Sequence, residues 1–227
     1  MKKILIVEDN IELNDIMRNF LIKAGHLVYQ AFDGEMALDM AKKLSPNLVI
    51  LDIMMPKKDG FEVCRELRNF LNVPVIVVSA VVGEEEKIKM FDLGADDYIT
   101  KPFSPKVLIA RVNSVVRRSK KSEVKINNQD FICVNKLKID IKKHEISWDN
   151  KFIDFSATEF AIVEFLAKNA GQVFSRDKIL SYIWGVDFFG ETRTVDVHIG
   201  TLRTKIGACG DYIQTVRGVG YKMESEQ

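Results

Sequence analysis

The chain has 227 residues, with 33 lysine and arginine residues, 32 aspartate and glutamate residues, and a formal net charge of +1. This length favours two domains with separate cores. The part up to Arg118 carries 17 basic and 17 acidic residues and the remainder carries 16 and 15, which excludes a polybasic protein that binds nucleic acid by charge alone.

Cysteine content and hydropathy exclude two further classes. Cys64, Cys133 and Cys209 form no C-x-x-C motif, which argues against a disulfide framework or a zinc site. The apolar residues 4–7 end at Glu8, too early for a signal peptide, and no later stretch is long enough to span a membrane. We therefore expect a cytoplasmic protein with no membrane contact.

Residues 1–118 alternate between short apolar runs and segments whose apolar side chains recur at helical spacing. The apolar runs are residues 4–7, 27–31, 48–51, 74–78 and 97–100. Five such strand and helix pairs predict an α/β doubly wound fold, in which helices cover both faces of a five-stranded parallel sheet.

Charged residues follow three of these predicted strands. Glu8 and Asp9 follow the first strand, Asp52 the third, and Lys101 the last. Because open α/β sheets place their chemistry at the carboxyl ends of the strands, we expect these groups to share one crevice. A carboxylate there is a candidate phosphoryl acceptor.

The apolar rhythm stops after Arg118, which predicts a linker over residues 119–125 and a second domain over residues 126–227. Short β-like stretches between residues 131 and 154 predict an antiparallel sheet. Ser156 and Ser175 begin two helices. A third helix has a buried stripe formed by Val195, His198 or Ile199, Leu202 and Ile206, and a hairpin follows it. This order predicts a small α+β domain.

Motifs in both parts of the chain resemble those of one protein family. The first domain resembles the flavodoxin-like receiver domain of two-component response regulators, through Glu8, Asp9, Asp52, Ser79, Tyr98 and Lys101-Pro102-Phe103. With residues 193–199 and 216–221, the whole chain resembles the OmpR/PhoB-type winged-helix transcription factors.

The resemblance implies roles for the crevice residues. Asp52 is the phosphoacceptor, and Mg²⁺ or Mn²⁺ is bound by Glu8, Asp9, Asp52 and the backbone carbonyl of Met54. Lys101 and Ser79 bind the phosphoryl oxygens, and Tyr98 acts as the switch. The peptide bond between Lys101 and Pro102 is expected to be cis. Residues two positions beyond Asp52 and Ser79, here Met54 and Val81, flank the path of hydrolytic water.

The resemblance also implies partners and an output. A sensor histidine kinase supplies the phosphoryl group, and the receiver then forms a homodimer that binds tandem DNA half-sites and acts on RNA polymerase. The expected dimer surface contains Lys87, Asp96, Asp97, Val107, Arg111 and Arg118. Val107 replaces the glutamate that usually faces the basic residue at position 87, so one ion pair is missing.

The third helix is the expected recognition helix in the major groove, and the hairpin tip is expected in the minor groove. The expected DNA contacts are Arg193, Thr194, Asp196, Val197, His198, Thr201, Arg203 and Arg217. Asp196 can accept from a cytosine amino group or complement the helix start, and His198 can pack or contact a phosphate. Gly200 and Thr201 replace basic residues that are common in the family.

Two other function classes are less consistent with these residues. A phosphatase of the haloacid dehalogenase type needs a second aspartate two residues after its nucleophile, but Met54 stands there. A constitutive DNA-binding regulator would use the receiver only for dimerisation, which the intact set of crevice residues disfavours.

Overall fold

The computed structural model describes residues 1–81, 83–120, 131–149, 151–185 and 192–224, with the backbone alone at residues 117–120, 208 and 209. The chain divides into two compact units, Met1–Arg117 and Arg118–Gln227. No helix in these ranges is both long and apolar enough to cross a membrane.

The first unit is a five-stranded parallel sheet with strand order β2-β1-β3-β4-β5. Its strands are β1 (Lys3–Val7), β2 (Leu27–Ala31), β3 (Leu48–Leu51), β4 (Val75–Ser79) and β5 (Asp97–Thr100). Its helices are α1 (Ile11–Lys23), α2 (Gly34–Leu44), α3 (Gly60–Arg68), α4 (Glu84–Asp92) and α5 (Pro105–Lys120). The predicted doubly wound fold is confirmed.

Alternating side chains explain why helices cover both faces of this sheet. Ile4 and Ile6 belong to a core cluster that contains Met17 of α1 and Leu108 of α5. Leu5 points to the opposite face and is equally inaccessible to solvent. Strands that are apolar on both faces need helices on both sides.

The second unit begins with a four-stranded antiparallel sheet of order β6-β7-β8-β9. Its strands are β6 (Phe131–Val134), β7 (Leu137–Asp140), β8 (Glu145–Trp148) and β9 (Lys151–Ile153). The helices α6 (Ala157–Lys168), α7 (Arg176–Trp184) and α8 (Arg193–Ile206) follow. Ser156 and Glu159 form the predicted capping box at the start of α6.

A wing built on a hairpin follows α8. A 3-10 helix (Gly207–Tyr212) leads into β11 (Ile213–Val216) and β12 (Gly220–Met223), and β12 also pairs with the short strand β10 (Phe174–Ser175). The arrangement confirms the predicted winged helix-turn-helix architecture.

The expected linker only partly overlaps the described residues. Helix α5 continues to Lys120, so residues 119 and 120 are helical. Residues 121–125 lie outside the described ranges.

Candidate functional site

Neighbouring strands of the parallel sheet bring four polar side chains to one edge. Glu8 follows β1, Asp52 follows β3, Ser79 ends β4 and Lys101 follows β5. These four strands are adjacent in the order β1-β3-β4-β5, so their carboxyl ends form one continuous crevice. Lys101 and Glu8, which are 93 residues apart in the sequence, are thereby in direct contact.

Lys101 connects two of the carboxylates. Its Nζ lies 2.7 Å from Glu8 Oε2 and 2.5 Å from Asp52 Oδ2. The other oxygen of Asp52 accepts the backbone N–H of Ile53 at 2.6 Å and is 3.3 Å from the N–H of Met54. The Asp52 carboxylate is therefore held in one orientation from both sides. The peptide bond between Lys101 and Pro102 is cis.

Burial dominates the electrostatics of this crevice. Glu8 and Asp52 are 1% and 4% exposed. Burial raises the pKa of Glu8, although the hydrogen bond from Lys101 opposes that rise. Burial by itself would lower the pKa of Lys101, but the hydrogen bonds to Asp52 and Glu8 outweigh it and raise that pKa. The ammonium therefore stays charged beside its two acceptors.

The carboxylates fit a divalent cation. Glu8, Asp9 and Asp52 each offer an oxygen, and these oxygens lie within 4.8 Å of one another. Hard oxygen donors of this kind match the preference of Mg²⁺, which usually keeps several waters. Asp9 is exposed, so the cluster opens to solvent on the side from which an ion and its waters would enter.

Two supporting residues were missed by the sequence analysis. Asn14, fully buried on α1, donates from Nδ2 to the carbonyls of Glu8 (2.8 Å) and Ala31 (3.2 Å) and so fixes the loop after β1. Gly60 begins α3, where an added Cβ would lie 2.4 Å from the carbonyl oxygen of Asp52. A polar residue on the buried face of α1 was a detectable signal, whereas the close approach at Gly60 has no counterpart in the local sequence.

The expected switch residues lie on β4 and β5. Ser79 is fully buried and Tyr98 is half-buried. The Tyr98 hydroxyl donates to the carbonyl of Val81 at 2.7 Å, and burial raises the pKa of Tyr98 to about 12. Lys87 Nζ lies 5.6 Å from the centre of the Tyr98 ring, within the range of a cation–π contact. The tyrosine thus connects β5 to the loop after β4 and to α4.

Ion pairs within the chain occupy several residues of the expected dimer surface. Asp97, which is fully buried, lies 3.5 Å from Arg111. Asp96 is also fully buried. The Asp96 side chain faces the interior of its own chain in this structure. The side chain of Arg118 lies outside the described residues, and Val107 packs against the core.

Asp96 belongs instead to a clamp centred on Arg68. The guanidinium donates to the carbonyls of Val73 and Gly94, each at 2.6 Å, and lies 3.5 Å from Asp96. Asp96 Oδ2 also accepts the N–H of Val75 at 2.9 Å. The clamp joins α3 to the starting ends of β4 and β5, opposite the acidic crevice.

In the second unit, helix α8 presents most of the expected outward residues. Arg193 and Gly200 are exposed, and Asp196, Val197 and Thr201 are partly exposed. The sequence leaves open whether His198 or Ile199 belongs to the buried stripe of α8. In the structure both side chains are buried. The exposed strip is continuous along the helix.

Two expected DNA contacts do not fit the positions of their side chains. His198 is 0% exposed, and its ring lies 5.3 Å from that of Trp184. Thr194 is 8% exposed. Both residues pack in the core beneath α8. The burial of His198 supports a packing role over a phosphate contact.

Two other expected contacts hold the wing to the helices. Arg203 donates from Nε to the Ile213 carbonyl at 3.0 Å. Asp196 Oδ1 lies 2.6 Å from Arg176 Nε and accepts the Tyr221 hydroxyl at 2.6 Å. No sequence signal marks Arg176, and the motif at residues 216–221 contains Tyr221 but does not indicate this contact.

Arg217 lies at the tip of the wing. It is exposed, and Gly218 beside it has φ +75°, a conformation that favours glycine. The turn lies between Val216 and Gly220, which face each other across β11 and β12. Arg217 is therefore presented at the hairpin tip, as the sequence predicts.

A lysine-bridged acidic crevice on a five-stranded parallel sheet, followed by a winged helix, defines a response regulator with a receiver domain and a DNA-binding domain. The family model described as the response regulator receiver domain matches residues 4–113. The model described as the C-terminal domain of transcriptional regulatory proteins matches residues 149–223. The chain belongs to the OmpR/PhoB-type response regulators.

Similar proteins extend over almost the whole chain. The probable transcriptional regulator ycf27 of Porphyridium aerugineum is 44% identical, over 97% of this chain and 95% of the relative. The protein of the same name from Guillardia theta is 42% identical, over 97% and 89%.

Solved structures resemble both units. A RitR mutant covers 100% of both chains with a TM-score of 0.80 and 25% identity. The response regulator DrrB of Thermotoga maritima, an OmpR/PhoB homologue, has a TM-score of 0.52 and 32% identity, over 99% of this chain and 100% of its own.

Proposed function

We propose that the chain is a cytoplasmic transcription factor controlled by phosphorylation of Asp52. A sensor histidine kinase supplies the phosphoryl group, the receiver shifts to a dimerising state, and the dimer binds tandem half-sites and acts on RNA polymerase. The observation that carries this proposal is the orientation of Asp52, whose two oxygens are held by Lys101 and by the Ile53 N–H.

The phosphoryl transfer follows from this placement. A carboxylate oxygen of Asp52 attacks the phosphorus of a phosphohistidine, the P–N bond breaks, and its electron pair remains on the imidazole. The product is an acyl phosphate on Asp52. Lys101 then bonds to a phosphoryl oxygen by a charge-assisted hydrogen bond, and the Ser79 hydroxyl donates to another.

We propose that Mg²⁺ or Mn²⁺ is bound by Glu8, Asp9, Asp52 and the Met54 carbonyl. The ion supplies charge neutralisation at the phosphoryl oxygens. The carboxylates of Glu8 and Asp9 would otherwise repel an incoming phosphoryl group. Lys101 offsets only one of the three negative charges, so phosphorylation should require the added cation.

The proposal predicts that Asp52→Asn abolishes stable phosphorylation by acetyl phosphate, because an amide cannot act as the nucleophile. Intact-mass measurement in the presence of Mg²⁺ should show one phosphoryl group on the wild type and none on the variant. Asp39→Asn, on the exposed face of α2, is the matched control and should be phosphorylated normally. Omitting Mg²⁺ should suppress phosphorylation of the wild type and of Asp39→Asn. Equal incorporation into Asp52→Asn would refute the assignment.

For DNA recognition, we propose that the exposed strip of α8 enters the major groove and Arg217 the minor groove. Val197 can contact a thymine methyl group, and the Arg193 and Arg217 guanidiniums can contact phosphates or base edges. The solvent exposure of these three side chains supports this proposal. Thr201 borders the same strip.

A further inference from the structure

A polar cluster links the three elements that surround the proposed DNA interface. Its centre is Tyr221 on β12, which is only 4% exposed. The Tyr221 hydroxyl and Arg176 Nε both bond to one oxygen of Asp196, each at 2.6 Å. Burial raises the pKa of Tyr221 and the bond to Asp196 adds to the rise, so the hydroxyl keeps its proton and acts as a donor.

The same tyrosine ring lies close to two arginines from different helices. The guanidinium carbon of Arg176, on α7, is 5.0 Å from the ring centre, and that of Arg203, on α8, is 5.7 Å away. Arg203 also donates to Thr215 Oγ1 at 2.9 Å. Thr215 faces Tyr221 across the hairpin. Both strands of the wing are therefore bonded to α8.

Hydrogen bonds are directional and can fix the orientation of the wing, whereas apolar packing is non-directional. The wing is part of a three-stranded sheet, because β12 also pairs with the two-residue strand β10. Apolar packing beneath so small a sheet does not by itself fix the angle of the hairpin. Hydrogen bonds weaken steeply when their geometry departs from linear. Two short bonds to one oxygen of Asp196, together with the bonds of Arg203, therefore restrict how the wing can tilt relative to α8.

We propose that Asp196, Tyr221 and Arg176 are positioning residues that fix the wing relative to the recognition helix, so that the major-groove and minor-groove contacts form together. This inference rests on the proposed DNA-binding function. It also assigns Asp196 a different role from base reading, because two donors already bond to its Oδ1.

Tyr221→Phe is the decisive variant, since it removes one hydroxyl without changing charge and its buried ring cannot touch DNA. We expect it to weaken binding to the selected DNA site by about tenfold, the effect of losing one hydrogen bond to a charged group. Preference for A·T-rich flanks should fall, while the bases preferred in the major groove stay the same. Asp196→Asn should give the same unchanged major-groove motif.

The test combines selection from randomised DNA with binding titrations on Tyr221→Phe, Asp196→Asn and the double variant. Because both residues act through one cluster, the double variant should lose flank preference no further than either single variant. Gln214→Ala is the control, since Gln214 bonds to Glu224 within the same wing at 3.1 Å. Thermal unfolding must show that each variant is folded at the assay temperature.

Two results would overturn the inference. In one, Tyr221→Phe binds with unchanged affinity and flank preference. In the other, Asp196→Asn changes the preferred base at one major-groove position, as a cytosine reader would. If the wild type selects no DNA sequence at all, the proposed DNA-binding function fails instead, so the two failures are distinguishable.

Discussion

At the scale of single residues, Met54 combines exposure with proximity to the phosphoacceptor. Its side chain is 65% exposed, and its backbone N–H is 3.3 Å from Asp52. A thioether cannot orient an attacking water by strong hydrogen bonding. Val81, on the other side of the proposed water path, is equally unable to do so. We therefore expect the phosphorylated protein to lose its phosphoryl group slowly.

Met54→Asn should accelerate this loss roughly tenfold, because an amide can orient the water in line with the bond that breaks. The measurement is a decay time course by intact mass after removal of the phosphodonor. Met54→Leu is the matched control and should decay like the wild type. Decay of the wild type within seconds, or equal rates for both variants, would show that position 54 does not control water access.

At the scale of elements, two glycines at helical positions differ in what surrounds them. At Gly60, an added Cβ would lie 2.4 Å from the Asp52 carbonyl oxygen and 2.7 Å from Ile53 Cα. At Gly200, in the middle of α8, nothing apart from the adjacent residues and the helix's own nearby backbone lies within 4 Å of that position. The first glycine permits α3 to approach the loop after β3, whereas the second has no packing role in the described structure.

Gly60→Ala should therefore lower the free energy of unfolding by about 1–3 kcal/mol, since backbone atoms must move to accommodate the methyl group. It should also slow phosphorylation, because the displaced atoms belong to Asp52 and Ile53. Gly200→Ala should instead stabilise the protein by about 0.5–1 kcal/mol through lower backbone entropy in the unfolded chain. Urea denaturation compares the two, and equal effects would contradict this distinction.

At the scale of the whole molecule, the proposed switch predicts that phosphorylation changes association. We expect phosphorylated protein to dimerise more strongly and to bind tandem half-sites about one helical turn apart more tightly, by on the order of tenfold. Sedimentation velocity and binding titrations measure both effects, with Asp52→Asn treated identically as the control. If unphosphorylated protein dimerises and binds equally well, the constitutive alternative is the better description.

Most of the receiver pocket could be predicted from the sequence, because three of the predicted strands are followed by charged residues and the parallel fold brings those strand ends to one edge of the sheet. Apolar runs ending in Glu8, Asp52 and Lys101 must meet once the strands are parallel and adjacent. The cluster of Arg176, Asp196 and Tyr221 was not predictable in this way. Its members are separated by 20 and 25 residues and follow no periodic pattern, so only tertiary packing brings them together.

The same limit applies to the intrachain contacts of Asp96. Two adjacent aspartates, Asp96 and Asp97, both looked available for surface ion pairs. Arg68, 28 positions before Asp96 in the sequence, draws that carboxylate inward to the start of β4. Nothing in the sequence around the aspartate pair indicates that partner.

The Arg68 clamp has a mechanical consequence for the receiver. It anchors β4 and β5 at their starting ends, whereas Ser79 and Lys101 stand at or just beyond their far ends. The clamp adds to the hydrogen bonds that pair β4 with β3 and β5 along its length, so the starting ends of β4 and β5 are held more firmly than their far ends. Rearrangement around the proposed phosphoryl group should therefore displace Ser79, at the end of β4, more than Val75 at its start. The largest displacement then falls beside Tyr98 and α4, which can pass it on to the surface of the receiver.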